Sequence, residues 1–79
     1  MTNTAELKKI IDESGIKKKH IAQRLGLSYY GLQLKIGGKN EFKQKEITVL
    51  CDILNIDSLT QKDRIFFAQE VDEKSTVNS

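Results

Sequence analysis

The sequence predicts an all-α protein, a compact bundle of five short helices. Three observations carry that expectation. Apolar residues recur at three- and four-residue spacing in separate stretches, and each stretch is bounded by residues that start or stop helices. Proline is absent from all 79 residues, and no sustained apolar/polar alternation marks a strand. A chain of this length supports one small core. With 38% apolar and 30% charged residues it belongs with folded globular domains, not disordered chains.

The first helix begins after Asn3. Glu6 stands three positions on, the spacing of a capping box, and Leu7, Ile10 and Ile11 supply the inward stripe. Gly15 ends this helix after Ser14, and Ile16 folds back onto the core. A second helix spans roughly 17–25 with Ile21, Ala22 and Leu25 inward. Gly26 breaks it, Leu27 points in, and Ser28 caps a third helix over about 28–36 with Leu32 and Ile36 buried. Gly37-Gly38-Lys39-Asn40 is a loop by its punctuation. Phe42 is a core anchor ahead of a fourth helix at about 43–54, where Ile47, Leu50, Cys51 and Leu54 recur at helical spacing. Asn55 to Thr60 connects to a fifth helix from Gln61 to Ala68 carrying Ile65 and Phe66. The folded domain is expected over residues 1–71. Phe67, Gln69 and Val71 offer a short extended alternative at its end, and 72–79 form a polar, frayed tail.

The net charge of +2 hides a polarised distribution. Residues 17–45 hold Lys17, Lys18, Lys19, Arg24, Lys35, Lys39, Lys43 and Lys45 against Glu41 alone, a surplus of seven, and the remainder carries −5. Such a division is the footprint of a protein with one face for a polyanion, although basic stretches also occur on ordinary solvated helices. No window approaches 18 apolar residues and the N-terminus lacks a signal-peptide core, so a cytoplasmic protein without membrane association is expected. Cys51 cannot form an internal disulfide, and with His20 as the one histidine it cannot build a zinc site. His20 falls on the exposed side of its helix and Cys51 on the buried stripe of the fourth. No paired carboxylates, second histidine or phosphate-cradling glycine motif supports an enzyme, and neither a cofactor nor a small-molecule ligand is implied.

Two helices joined by a short turn with a glycine form a helix-turn-helix, and Lys18 to Leu32 has that form. Ala22 is small enough for the second and third helices to cross closely. Gly26 supplies the positive φ of the turn, and Ile21, Leu25, Leu27 and Leu32 lock the angle. That angle lets the third helix enter a major groove while the start of the second meets the backbone.

The run Ile21-Ala22 with Leu25-Gly26-Leu27-Ser28 resembles the Cro/phage-repressor class of helix-turn-helix proteins. Gly38-Lys39-Asn40-Glu41-Phe42, Glu46-Ile47 and Ile65-Phe66-Phe67-Ala68 are similar to a group of small phage- and prophage-encoded regulators. The resemblance covers about residues 5–71. It implies a lambda-repressor-like fold of five helices, operator DNA as ligand, frequent dimerisation, no cofactor, and a place in the bacterial cytoplasm at the nucleoid. The chain departs from the class at three places. Lys17-Lys18 replace the usual Ser-Gln, so Lys18 supplies charge where a glutamine would hydrogen-bond a phosphate. Lys35 stands at a position often apolar, where its stem can cover the core while the ammonium reaches solvent. Lys43 replaces a capping Thr or Ser.

The expected base-reading residues are Tyr29, Tyr30, Gln33 and Leu34. A tyrosine offers a hydroxyl to base edges or phosphate and a ring to thymine methyls, Gln33 can pair bidentately with adenine, and Leu34 can touch a thymine methyl. Either tyrosine can instead pack against the first helix or the following loop. Lys17, Lys18, Ser28, Lys39, Asn40 and Lys43 are the candidate backbone contacts. Phe66 and Phe67 are the candidate dimerisation residues, since two adjacent rings on a helix cannot both enter one small core. The rival reading is a protein-binding module, an antirepressor or antitoxin on the same fold, and an apolar surface on the third helix would mark it.

Overall fold

The computed structural model describes residues 1–67. Five helices follow one another: α1 (Thr4–Ser14), α2 (Lys18–Leu25), α3 (Tyr29–Ile36), α4 (Gln44–Ile53) and α5 (Leu59–Phe66). No strand occurs among the described residues. The fold class is therefore all-α, as the spacing predicts. Two expectations, Ala68 as the end of α5 and the extended alternative through Gln69 and Val71, reach beyond the described residues, as does the polar tail.

Local chemistry explains most boundaries. The Asn3 side chain accepts from the Glu6 N–H at 3.1 Å, which satisfies one of the free donors that open α1. The reciprocal half of the expected capping box is absent because the Asn3 N–H donates to the Ile65 carbonyl at 2.6 Å, tying the start of α1 to α5. Glu6 turns instead toward Arg64, 3.9 Å away. Ser28 Oγ accepts from Gly31 N–H at 2.9 Å to open α3, and Gly26, at φ 73°, turns the chain from α2 toward it. The left-handed conformation there favours glycine, which has no Cβ to clash.

The fifth helix starts two residues before the expected Gln61. Ser58 is its cap, its side chain accepting from Gln61 N–H at 3.2 Å, and the first helical residue is Leu59. Leu59 is exposed, so no apolar periodicity announces that first turn. The α4–α5 connection also contributes to the core. Asn55 takes φ 59°, the Ile56 N–H bonds the Cys51 carbonyl at 2.8 Å, and Ile56 is turned inward.

The core gathers Leu7, Ile11, Ile21, Leu32, Leu50 and Ile65 from all five helices, each almost wholly removed from water. Helix α2 packs on α3 and α4, and α1 on α3 and α5. Phe42 enters the core as expected and meets Phe66 edge to face, with ring centroids 5.8 Å apart. That contact corrects the assignment of Phe66 to a dimer surface, because its ring is internal. Phe67 faces outward.

A second correction concerns Lys35. Its ammonium does not reach solvent but lies 2.6 Å from Glu46 Oε1, with both side chains buried. Lys35 therefore adds no free charge to the surface.

Candidate nucleic-acid interface

Helix α3 has eight residues and presents two unlike sides. Leu32, Lys35 and Ile36 are buried against the rest of the molecule. Tyr29, Tyr30 and Gln33 are exposed and Leu34 is half-buried. Gln33 follows Tyr29 by four positions and Tyr30 by three, and Leu34 follows Tyr30 by four, so all four lie on one continuous face. Tyr30 is the more open of the two rings, 71% exposed against 51% for Tyr29. Neither tyrosine is in the core.

The α2–α3 unit fits a helix-turn-helix. Gly26, Leu27 and Ser28 are the whole connection, and Leu27 is partly buried against the core. Ala22 is buried where the two helices meet. A shallow depression between them is bordered by Lys19, Ala22, Gln23, Leu27 and Tyr29. Lys19 and Gln23 thus stand beside the reading face, and the sequence reading did not single them out for it. Their spacing of four, together with the inward Ala22, is the signal that places them there.

The cationic candidates fall in three places. Lys17 is the N-cap of α2 and Lys18 its first residue; Lys17 is exposed, makes no capping hydrogen bond through its side chain, and has a neighbour in the half-buried Lys18. Lys39 and Asn40 are exposed in the loop after α3. Their N–H groups both donate to the Leu34 carbonyl, at 2.9 and 3.3 Å, so the loop is folded against the end of α3. Lys43 is the N-cap of α4 and borders a cleft of 360 Å³ with Arg24 and Lys45. Arg24 is engaged by Asp52 at 3.7 Å, while Lys17, Lys18, Lys39, Lys43 and Lys45 have no ion pair among the described residues. Ser28 is exposed and its oxygen is occupied as an acceptor by the Gly31 N–H, which leaves its hydroxyl proton as a donor.

Lys43 differs from Lys17 in one respect. The Glu46 carboxylate reaches back and accepts the Lys43 N–H at 2.8 Å, supplying the acidic half of a capping box. The same oxygen holds the Lys35 ammonium. Burial pushes the Glu46 pKa up, but the Lys35 hydrogen bond, the Lys43 N–H and the two lysine charges outweigh it and hold the carboxyl below its ordinary value. Glu46 is therefore a carboxylate at neutral pH. Burial raises the Cys51 thiol, partly opposed by Lys62, so the thiol stays protonated inside the core.

Among the described residues no helix is long and apolar enough to cross a membrane. Comparison of the chain with known protein families, curated proteins and solved structures finds no match.

Proposed function

We propose that this protein is a sequence-specific double-stranded DNA-binding transcriptional regulator that inserts α3 into the major groove of an operator, binding as a homodimer. One observation carries the reading: α3 is held by Leu32, Lys35 and Ile36 while Tyr29, Tyr30, Gln33 and Leu34 form one outward face. Helices presented in this way after a three-residue turn suit the groove, and these side chains can read base edges and thymine methyls. Lysines at the start of α2, in the loop after α3 and at the start of α4, without an ion pair among the described residues, supply phosphate contacts around that face. The resemblance to phage repressors points the same way. Such a protein works in the cytoplasm and needs no catalytic group.

The exposed tyrosine rings favour one second reading, in which the same face grips another protein. Selection by the purified protein from a library of randomised duplexes separates the two. Enrichment of a common near-palindromic motif is expected. Recovery of a pool no different from the input would overturn the regulator and leave the protein-binding module.

A further inference from the structure

Helix α2 has a different neighbour on each flank, α3 on one and α4 on the other. Lys19, Ala22 and Gln23 border the depression beside α3. Arg24, about 100° further around the helix from Gln23, borders a groove of 510 Å³ between α4 and the start of α5. Val49, Cys51 and Ile56 give that groove an apolar lining, and Leu59 stands in its wall, 71% exposed. Leu59 serves neither the core nor the outer face of α3. As the first residue of α5 it occupies a position where an acidic side chain would suit the helix dipole better. Its place on the surface is explained by something that covers it.

The charges around the groove say what fits. Arg24 and Asp52 engage each other at 3.7 Å, while Asp57 and Lys62, before and after Leu59, have no ion pair among the described residues. A surface for DNA or for a strongly charged protein would carry one sign. An apolar centre flanked by one charge of each sign is complementary to itself: about a two-fold axis, Asp57 meets the partner subunit's Lys62, and the contact occurs twice. The spacing agrees. Packed helix axes lie about 8–10 Å apart, so the steps from α3 to α2 and from α2 to α4 put α3 on the order of 16–20 Å from the groove. A two-fold axis at the groove sets the two α3 helices on the order of 30–40 Å apart, a range that contains one turn of DNA, about 34 Å.

We propose that the groove between α4 and α5 is the homodimer contact, with Leu59 of each copy entering the groove of the other and Asp57 paired with Lys62 across the two-fold axis. The proposal names the surface through which the DNA-binding reading assembles, and it rests on that reading only for the spacing of the α3 helices.

Sedimentation equilibrium of the full chain without DNA tests the surface. The natural protein is expected to dimerise reversibly, and Leu59→Asp to weaken its association by at least about tenfold. Asp57→Lys and Lys62→Asp each set like charges across the axis, so each alone is expected to associate at least about tenfold more weakly than the natural protein. Mixed in equal amounts, these two variants are expected to pair with each other, because every facing charge is then opposite. Leu59 and Asp57 are exposed and Lys62 is half-buried, so helical circular dichroism should match the natural protein's throughout. A natural protein that stays monomeric at millimolar concentration would overturn the proposal and leave residues 68–79 or another protein as the cover of Leu59. An association unmoved by Leu59→Asp would overturn it in favour of another dimer surface, and a mixture no stronger than its components would overturn the two-fold pairing. On DNA, Leu59→Asp is expected to lose at least about tenfold in affinity for a selected near-palindromic duplex and less than about twofold for a single half-site. Equal losses on both would overturn the link to α3 spacing. If the natural protein selects no sequence, the DNA reading fails and sedimentation alone still decides the surface.

Discussion

At Lys17 the chain opens α2 with a side chain that cannot accept a hydrogen bond from the exposed N–H groups, and whose charge opposes the positive end of the helix dipole. Lys43 opens α4 with the same handicap, softened by the Glu46 carboxylate on its N–H. Lys17→Ser is therefore expected to stabilise the free protein by about 0.5–1.5 kcal/mol, read as a raised midpoint of thermal unfolding. The same variant should bind DNA more weakly, because a phosphate can meet the helix N-terminus and the ammonium together. A fall in stability, or unchanged affinity, would return Lys17 to the ordinary surface. Glu46 gives a prediction of pH dependence. Its folded-state pKa lies below the ordinary value of 4.5, so the folded protein binds that proton less readily than the unfolded chain. The resulting stabilisation is complete above about pH 4.5 and disappears as pH falls through the lower folded-state value. The acid limb of the unfolding midpoint between pH 5 and 3 should be shallower in the Lys35→Met, Glu46→Gln variant than in the natural protein. Equal limbs would show that the carboxylate is no more stabilised folded than unfolded.

The helices show where sequence is legible and where it stops. The bounds of α1 to α4 are readable to about one residue because the signals are local: Asn3 and Ser28 accept from N–H groups three positions on, and Gly15 and Gly26 turn left-handed where their helices end. Helix α5 is harder, since its first turn carries the exposed Leu59 and its apolar pair comes only at Ile65 and Phe66. Ile56 enters the core from a connection, through the positive φ at Asn55, and no periodicity marks it. The reading face of α3 is legible because it follows from helical spacing around Leu32 and Ile36. The Lys35–Glu46 contact is not, because it joins residues eleven apart on two helices whose relative placement only the packed core defines. On that face Gln33 has the strongest capacity for discrimination, with an amide able to donate to and accept from one adenine. Gln33→Ala should lose about 1–3 kcal/mol on a selected duplex and far less on random DNA, by anisotropy titration of both. Equal losses would make Gln33 a backbone contact.

For the whole molecule the question is how many copies meet the DNA. Phe66 is sealed against Phe42, so of the two adjacent rings only Phe67 remains outward, 44% exposed. Its surroundings continue into residues beyond those the structure describes, and the assembly is better tested through charge than through that ring. The polarised segment holds eight cations in sequence, but the fold withdraws Lys35 into the ion pair with Glu46 and engages Arg24 with Asp52. Of the six left, Lys17, Lys18, Lys39 and Lys43 are the candidate phosphate contacts around α3, four for each protomer. Each phosphate neutralised contributes about 0.9 to the slope of log affinity against log salt. A single protomer should then show a slope near −3.6 and lose on the order of a hundredfold in affinity between 50 and 200 mM salt. Two protomers on one near-palindromic site should approach a slope of −7 and a loss on the order of ten-thousandfold. The two-fold arrangement would also set the recognition helices about 34 Å apart, one turn of DNA. Anisotropy titrations of a selected duplex at four salt concentrations, with stoichiometry from sedimentation of the complex, distinguish the two. A slope near zero would mean that these lysines face water rather than phosphate, and would favour a protein as the partner of α3.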